Sequence, residues 1–303
     1  MKILGINYGG HDTSASIVID GKLIAACEEE RYDKIKHSRN FPLNAILDCL
    51  KISKLSINEI DEIAFGLIPK NKIEKLYINA ILENPKKIKL FIQDIKKIHE
   101  FLSIEQLIRT KTGFKNKIKF YDHHECHLAS TFYPSNFDKS IVTSYDGIGE
   151  INSALFAVAD KKNGLKIIHN KNIFPNSIGL FYSAITNFLG WKHHCDEGII
   201  MGLAPFGNPK AINKINKKSY LEVFRKILTV DKDDILKYKI NLDWIEYQNQ
   251  RDKWVSEKFI ENFGKKRKYD EKITYHHKNI AAALQLRVEE IIIKQLKYLK
   301  KKI

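Results

Sequence analysis

The chain has 303 residues, 44% of them hydrophobic, which is enough for two domains, or two lobes of one, around a buried core. No signal peptide, no apolar run of about 20 residues and no CxxC pair is visible, which argues against secretion, a membrane span or a disulfide framework and for a reduced, cytoplasmic protein. The net charge of +15 favours anionic ligands such as nucleotides, phosphates or RNA, although lysines spread along helices are also typical of a solvated surface.

The first half of the chain is predicted to mix strands and helices. Three strands are predicted first, the last two joined by the hairpin signal Asp20-Gly21, at residues 2–8, 14–20 and 22–28. A helix over 42–51 opens at Pro42, and a short segment capped by Ser56 precedes a strand at 62–66. Residues 70–112 are rich in lysine and periodic in Ile, Leu and Phe, which predicts one or two amphipathic helices.

The second half begins with strands near 117–121 and 140–145, on either side of a helix that ends before Pro134. A hairpin is predicted over 151–174 with its turn at Asn163-Gly164. The remaining expectations are an apolar helix over 177–191, a charged helical region over 210–270 and an amphipathic helix over 278–300.

Two histidines four residues apart, His123 and His127, carry most of the functional information. On a helix they project from one face with Cβ atoms roughly 6 Å apart. With the carboxylate of Asp146 they offer ligands that suit Fe²⁺, Zn²⁺ or Mn²⁺ and leave coordination sites open for chemistry. His124 lies about 100° further round the helix and is not expected to share that face. A metalloprotease is disfavoured, because the pair lacks the glutamate of His-Glu-x-x-His.

The predicted turn between the first two strands contains Gly9, Gly10, His11 and Asp12. Glycines let a backbone approach a phosphate or an adenylate closely, and backbone N–H groups can hold it. A tight turn without a ligand is the simpler interpretation of Gly-Gly among polar residues.

Further motifs occur with these in one order along the chain. They are Gly9-Gly-His11-Asp12-Thr-Ser14, Glu28-Glu-Glu-Arg31, Lys36-His37, His123-His-x-x-His127, Asp146-Gly-x-Gly-Glu150, Ser177-Ile-Gly-Leu-Phe-Tyr182 and Met201-Gly-Leu-Ala-Pro-Phe-Gly207. Together they resemble the N-terminal part of the NodU/CmcH-type O-carbamoyltransferases, relatives of the tRNA threonylcarbamoyladenosine transferases. The resemblance is thin over about 70–115 and 210–275.

The resemblance implies an α/β fold: an actin-like ATPase (ribonuclease H-like) lobe with a helical insertion and an incomplete second lobe. The expected boundaries are 1–205 for the first lobe, with its insertion at about 70–115, and 206–303 for the truncated second lobe. The implied reaction passes a carbamoyl group from carbamoyl-adenylate, made from ATP, to an acceptor hydroxyl.

The resemblance also assigns roles to individual residues. His123, His127 and Asp146 would hold a metal ion, which the resemblance implies to be iron. His11 would act as the base towards the acceptor hydroxyl, and Lys36 would stabilise anionic charge near the transferring group. The remaining contacts implied for the nucleotide come from Gly9, Gly10, Asp12, Asp146, Gly147 and Ser177.

Three points separate this chain from the pattern or leave alternatives open. The family usually carries a lysine just before Met-Gly-Leu-Ala, where Glu197-Gly-Ile-Ile200 stands here. His193-His194-Cys195-Asp196 resembles a second metal cluster, but adjacent residues rarely bind one ion. The family also continues with a nucleotide turn and the adenylate-forming domain, so the chain is expected either to pair with a separate chain that supplies them or to be a fragment without activity alone. The alternatives to a transferase of small hydroxyl acceptors are a catalytically incomplete scaffold subunit and a tRNA-modifying enzyme.

Overall fold

The structure, a computed structural model, describes residues 1–302, except the side chains of residues 83 and 86. It divides into two compact units, residues 1–137 and the residues from 138 onward. Residues 138–173 build a sheet of their own instead of extending the first, and the lobe boundary expected after residue 205 stays a prediction. No helix among the described residues is both long and apolar enough to cross a membrane.

The first unit contains a five-stranded sheet in the order β3-β2-β1-β4-β5. Its strands are β1 (Lys2–Asn7), β2 (Ser14–Ile19), β3 (Lys22–Glu28), β4 (Glu62–Phe65) and β5 (Lys117–Phe120). Strands β1, β2 and β3 form an antiparallel meander, whereas β4 and β5 continue parallel to β1. Asp20 and Gly21 both have positive φ, at 46° and 79°, as the short hairpin turn between β2 and β3 requires.

Two helices and a capped turn complete the N-terminal part of this unit. They are α1 (Glu30–Asp33), α2 (Leu43–Ser53) and a 3₁₀ turn over Ile57–Glu59. The inner face of α2, including Ile46 and Cys49, is buried and packs on β2 and β3. Ser56 and Glu59 form a reciprocal capping box at the 3₁₀ turn, and Ser56 is the cap that the sequence predicts.

The lysine-rich region is divided into short helices instead of forming one or two long ones. Five α-helices are present, with a π-helical turn between the first two: α3 (Pro69–Ile73), α4 (Asn79–Glu83), α5 (Ile88–Gln93), α6 (Ile95–Leu102) and α7 (Ile104–Thr112). The prediction was wrong about continuity. Asn84 is extended because it precedes Pro85, and this ends α4. Asp94 and Ser103 leave the helical region of backbone space between the later helices.

The second unit begins with a three-stranded antiparallel sheet in the order β6-β7-β8. Its strands are β6 (Lys139–Tyr145), β7 (Asn152–Asp160) and β8 (Gly164–Ile173), which match the predicted strand and hairpin. Helix α8 (His123–Phe132) closes the first unit, and α9 (Ile178–Phe188) and α10 (Glu197–Leu203) follow the second sheet. Helix α9 is apolar on nearly every side and lies in one core with Phe156, Phe224 and Phe259.

The prediction of a helical, charged region over 210–270 was wrong in large part. Only α11 (Tyr220–Ile227) and α12 (Glu257–Phe263) are α-helical there, and two short strands pair between them, β9 (Leu228–Val230) and β10 (Tyr238–Ile240). Charged residues lie both in the loops and on α11 and α12, while aromatic side chains such as Tyr238 and Trp244 are buried. The last helix, α13 (Tyr275–Lys302), contains the predicted 278–300 segment, and Gln295 accepts a hydrogen bond from Tyr145 of β6 at 2.7 Å.

Each unit thus starts with three antiparallel strands, and in the first these are extended by two strands parallel to β1. This order and these directions are those of a ribonuclease H-like lobe of the actin-like ATPases. The predicted α/β fold class is confirmed.

Candidate active site

The histidine helix α8 is held in place at its first turn. The carboxylate of Asp122, the N-cap residue, accepts a hydrogen bond from the backbone N–H of Glu125 at 3.0 Å. Nδ1 of His123 lies 3.2 Å from the carbonyl oxygen of Gly66, the residue that follows β4. Since a carbonyl only accepts, Nδ1 carries the proton and Nε2 of a neutral ring keeps its lone pair.

The two histidines meet as the i, i+4 spacing predicts. Nε2 of His127 lies 3.0 Å from Nε2 of His123, with the ring centroids 4.5 Å apart. An ion about 2.1 Å from two neighbouring nitrogens at a right angle would hold them about 3.0 Å apart. His127 is exposed and His123 half-buried, so the pair is accessible from solvent. These two nitrogens therefore fit a metal ion; the same distance also fits one N–H···N hydrogen bond.

His124 does not join this pair. Its side chain is fully buried, on the inner side of α8, while its neighbours face outward. The separation agrees with the angle of about 100° between consecutive helical residues.

The glycine turn between β1 and β2 has two different glycines. Gly9 has φ +95°, and a Cβ at this position would lie 2.7 Å from the ring of Phe101 in α6, so glycine is needed for both its backbone and its neighbour. At Gly10 a Cβ would meet nothing within 4 Å. Gly10 is therefore the position where the turn leaves room for a ligand to approach the backbone.

Within the same turn Asp12 links two histidines. Its Oδ2 lies 2.6 Å from Nδ1 of His11, and its Oδ1 lies 2.8 Å from Nδ1 of His37. Burial acts to raise the pKa of the Asp12 carboxyl, but the hydrogen bonds from the two rings outweigh it and the pKa lies below its usual value. Asp12 is therefore ionised at neutral pH.

Lys36 lies in the loop after α1, and its side chain is exposed. Together with Glu30, Arg31 and Lys34 it lines a shallow depression on the surface of the first unit. Glu30 accepts a hydrogen bond from the backbone N–H of His37 at 2.9 Å, which ties the loop that carries Lys36 to α1.

Asp146 and Gly147 lie in the second unit, just after β6. The backbone N–H of Asp146 donates to the carbonyl of Ser153 at 2.9 Å, and its Oδ1 accepts from the N–H of Gly147 at 2.6 Å. The Ser177 hydroxyl lies 3.0 Å from the carbonyl of Asp146 and 2.7 Å from that of Gly147. It also caps α9 by accepting from the N–H of Leu180 at 3.0 Å. Ser177 is fully buried and so shapes the backbone around Asp146.

The adjacent pair His193 and His194 is packed against an aromatic side chain. Their ring centroids lie 4.3 Å and 5.2 Å from that of Trp254. The backbone N–H of His194 donates to Glu197 at 2.6 Å, and Nδ1 of His193 lies 3.3 Å from the side-chain nitrogen of Asn187. These contacts account for the sequence cluster by packing and hydrogen bonding.

Sequence reasoning assigned no role to His37 or Glu30, although both occur in the quoted motifs. The structure brings His37 to Asp12 across 25 positions of the chain, and places Glu30 beside it. Their proximity depends on how the loop after α1 returns to the glycine turn, and no local pattern predicts that return.

A ribonuclease H-like sheet whose first turn carries His11 and Asp12 defines the class of the protein, an actin-like α/β protein. Residues 2–303 match the family described as "Carbamoyltransferase N-terminus". The chain belongs to this carbamoyltransferase family.

Relatives and one solved structure complete the comparison. The nodulation protein NolNO of Sinorhizobium fredii is 30% identical over 296 residues, which are 95% of this chain and 38% of that protein. An uncharacterized protein of Synechocystis is also 30% identical, over 96% of this chain and 47% of its own length. Component A of (R)-2-hydroxyglutaryl-CoA dehydratase from Acidaminococcus fermentans superposes with a TM-score of 0.38 and 15% identity, over 75% of this chain and 68% of that one. The fold assignment rests on the strand order of the first sheet and not on this superposition. The chain thus spans about half the length, or less, of the curated relatives it matches.

Proposed function

We propose that this chain carries the transfer site of an O-carbamoyltransferase, which moves a carbamoyl group from carbamoyl-adenylate to an acceptor hydroxyl. The observation that carries the proposal is the contact of 2.6 Å between His11 and the Asp12 carboxylate in a chain of the carbamoyltransferase family. A carboxylate on Nδ1 leaves Nε2 of a neutral His11 ring with the lone pair that a general base needs.

The reaction can be written with its atoms balanced. The acceptor oxygen forms a bond to the carbamoyl carbon while its proton passes to Nε2 of His11. The bond from that carbon to the phosphate oxygen breaks, and AMP leaves with the bonding electron pair. Asp12 stabilises the imidazolium that forms. The pKa of its carboxyl lies below the usual value, so the carboxylate is ionised and negatively charged.

Other residues of the chain hold the reactants. In this proposal Gly9 and Gly10 present the backbone of the turn to the adenylate, and the family resemblance adds Asp146, Gly147 and Ser177 as further nucleotide contacts. Lys36, exposed on its loop, supplies positive charge to the phosphate that departs.

The proposed metal site uses His123 and His127, with Asp146 as the third ligand that the family resemblance implies. The spacing of 3.0 Å between the two Nε2 atoms supports the pair as ligands. Iron is the proposed ion; Zn²⁺ and Mn²⁺ accept the same ligand types. When bound, such an ion supplies Lewis acidity that polarises phosphate or carbonyl oxygens.

The test supplies carbamoyl-adenylate and a panel of hydroxyl compounds to the purified chain, and measures AMP release and carbamate formation. His11→Ala should lower the rate by about 10²- to 10⁴-fold, the usual contribution of a general base. Bound metal should be unchanged in that variant. His99→Ala, which removes an exposed histidine on α6, is the matched control and should retain the full rate.

The metal part is tested separately by elemental analysis. His123→Ala and His127→Ala should each lose the ion, whereas Ser130→Ala, on an exposed position of the same helix, should keep it.

An equal transfer rate in wild type and His11→Ala would show that His11 is not the base. A chain that binds metal and adenylate but transfers to no acceptor, both alone and with the separate chain that is expected to supply the missing nucleotide turn, would instead favour the scaffold alternative.

A further inference from the structure

The Asp12 carboxylate is shared by two imidazole rings. Each of its oxygens accepts from one Nδ1, His11 at 2.6 Å and His37 at 2.8 Å, and the two ring planes are nearly perpendicular at 85°. An ionised carboxylate has no proton to donate, so both rings must carry theirs on Nδ1. The contacts therefore select one tautomer for each neutral ring.

The backbone holds this arrangement at a cost in conformation. Asp12 and His37 both have φ of +56°, in the left-handed region that residues other than glycine rarely occupy. Asn7 donates to the Asp12 carbonyl at 2.9 Å, and Glu30 accepts from the His37 N–H at 2.9 Å. The N–H of Thr13 donates to the Ser38 carbonyl at 3.2 Å, which joins the two segments next to the shared carboxylate.

His37 itself is less accessible than His11. The exposed fraction of its side chain is 25%, against 48% for His11, and its Nε2 is buried without a hydrogen-bond partner within residues 1–302. A base must reach its substrate, so His11 is the ring suited to proton transfer. His37 is suited to holding the carboxylate from the other side.

We propose that His37 is a positioning residue: it fixes the Asp12 carboxylate, which in turn keeps the proton of His11 on Nδ1 and the lone pair on Nε2. This role rests on the proposed function of His11 as the base. Without His37, one oxygen of Asp12 loses its donor, the carboxylate can rotate, and His11 loses its fixed tautomer and orientation. The carboxylate makes the hydrogen bond to the base, and the ring of His37 lies edge to face with that of His11 at a centroid distance of 6.4 Å.

A different occupant of the same cluster would be a cation. Ligand atoms of Asp12, Glu30 and His37 lie within 4.8 Å of one another. In the structure, however, Oδ1 of Asp12 accepts from Nδ1 of His37, and Oε2 of Glu30 accepts from the backbone N–H of His37. These contacts favour hydrogen bonding over metal binding, and the experiment below includes the cation as an outcome.

The experiment compares His37→Ala with His37→Asn by NMR of protein labelled with ¹⁵N in its histidine rings. Asn tolerates the left-handed backbone, and its amide N–H₂ can donate near the position of Nδ1, so this variant keeps the interaction. In wild type and His37→Asn, the shifts of His11 should report a protonated Nδ1 and an unprotonated Nε2. In His37→Ala a substantial fraction should change to the Nε2–H tautomer.

Transfer kinetics give the second measurement. His37→Ala should lower kcat by about 10- to 100-fold with little change in KM for the acceptor, the scale of a misplaced catalytic group, and His37→Asn should recover most of it. Lys54→Ala is the control for backbone strain, since Lys54 also has a positive φ, of 55°, but lies at the end of α2.

The outcomes separate this proposal from the proposed function. If the tautomer of His11 is the same in all three proteins, the positioning role is wrong whether or not transfer is observed. If the tautomer follows His37 but wild type transfers nothing, the positioning role stands and the carbamoyl-transfer proposal fails. Stoichiometric shifts of the His37 signals on addition of Zn²⁺ to a His123→Ala chain would also overturn the role and assign a cation site.

Discussion

At the scale of single residues, the backbone around Asp146 depends on two residues at the start of α9, its N-cap and its second residue. Ser177 contacts the carbonyls of Asp146 and Gly147, and Gly179 lies so close that a Cβ would be 2.6 Å from the carbonyl carbon of Asp146. Neither residue needs to contact a ligand to matter. Both fix the backbone of Asp146 and thereby the position of its carboxylate.

Replacement of the Ser177 hydroxyl should therefore cost more than an ordinary helix cap. Ser177→Ala removes the cap of α9, worth about 1 kcal/mol, and takes away the one hydroxyl proton that the carbonyls of Asp146 and Gly147 share, for a total of about 2–3 kcal/mol in the free energy of unfolding. Ser219→Ala, at the capping box of α11, is the matched control and should cost only about 1 kcal/mol. Urea unfolding measures both, and equal losses would contradict the role of Ser177.

Gly179→Ala tests the close approach directly. The added methyl group would overlap backbone atoms, which cannot rotate away, so we expect a loss of about 1–3 kcal/mol and weaker metal binding if Asp146 is a ligand. Gly198→Ala places the same methyl group in α10, where nothing lies within 4 Å, and should change stability by less than about 1 kcal/mol. Unfolding and metal titration of the two variants provide the comparison.

At the scale of elements, β8 contains a buried histidine that should make the second unit sensitive to acid. His169 is 5% exposed, its Nε2 lies 3.1 Å from Asp234, and its Nδ1 has no hydrogen-bond partner in the described part of the chain. Burial lowers the pKa of His169 below its usual 6.5 and outweighs the nearby carboxylate.

Because the pKa of His169 is lowered in the folded protein, the free energy of unfolding should decrease as the pH falls. Well above pH 6.5 the ring of His169 is neutral in both the folded and the unfolded chain, so its protonation does not lower the free energy of unfolding. As the pH falls through 6.5 the unfolded chain takes up the proton first, so stability decreases until the folded ring is protonated too. His169→Gln, which keeps a donor for Asp234 but does not titrate, should show a smaller decrease between pH 7.5 and 5.5. Parallel stability curves from urea unfolding at each pH would contradict this.

The short helices of the lysine-rich region show the same dependence of an element on its surroundings. The apolar period predicted helix correctly, and Phe101 of α6 packs where Gly9 leaves space for its ring. The number of helices was predicted wrongly. The break at Asn84-Pro85 follows from the sequence, since a residue before proline disfavours the helical region, whereas Asp94 and Ser103 interrupt the helices without such a signal.

At the scale of the whole molecule, the net charge of +15 is the feature that supports the alternative of a tRNA-modifying enzyme. Charge of this size attracts any polyanion, and that attraction weakens steeply with salt because it depends on counterion release. We expect binding to tRNA at low salt that is largely lost at physiological salt. We also expect the same affinity for an unrelated RNA of equal length. Fluorescence anisotropy against salt concentration measures both, and a clear preference for tRNA at physiological salt would favour the tRNA-modifying function.

The sequence by itself determined the fold class, most strand bounds and the pairing of His123 with His127. The fold class follows from the resemblance of the ordered motifs to a known family. The strand bounds and the histidine pair follow from local patterns: alternation along a strand, turn residues such as Asp20-Gly21, and the 3.6-residue period that places i and i+4 on one helical face. The order of the motifs along the chain was also enough to indicate the family.

Only the tertiary structure decided the unit boundary near residue 137, the strands within 210–270 and the contact of His37 with Asp12. The boundary depends on which strands share a sheet, and the contact joins residues 25 positions apart. Such pairings result from burial and hydrogen bonding among segments that are distant in the sequence. No local pattern of residues predicts them.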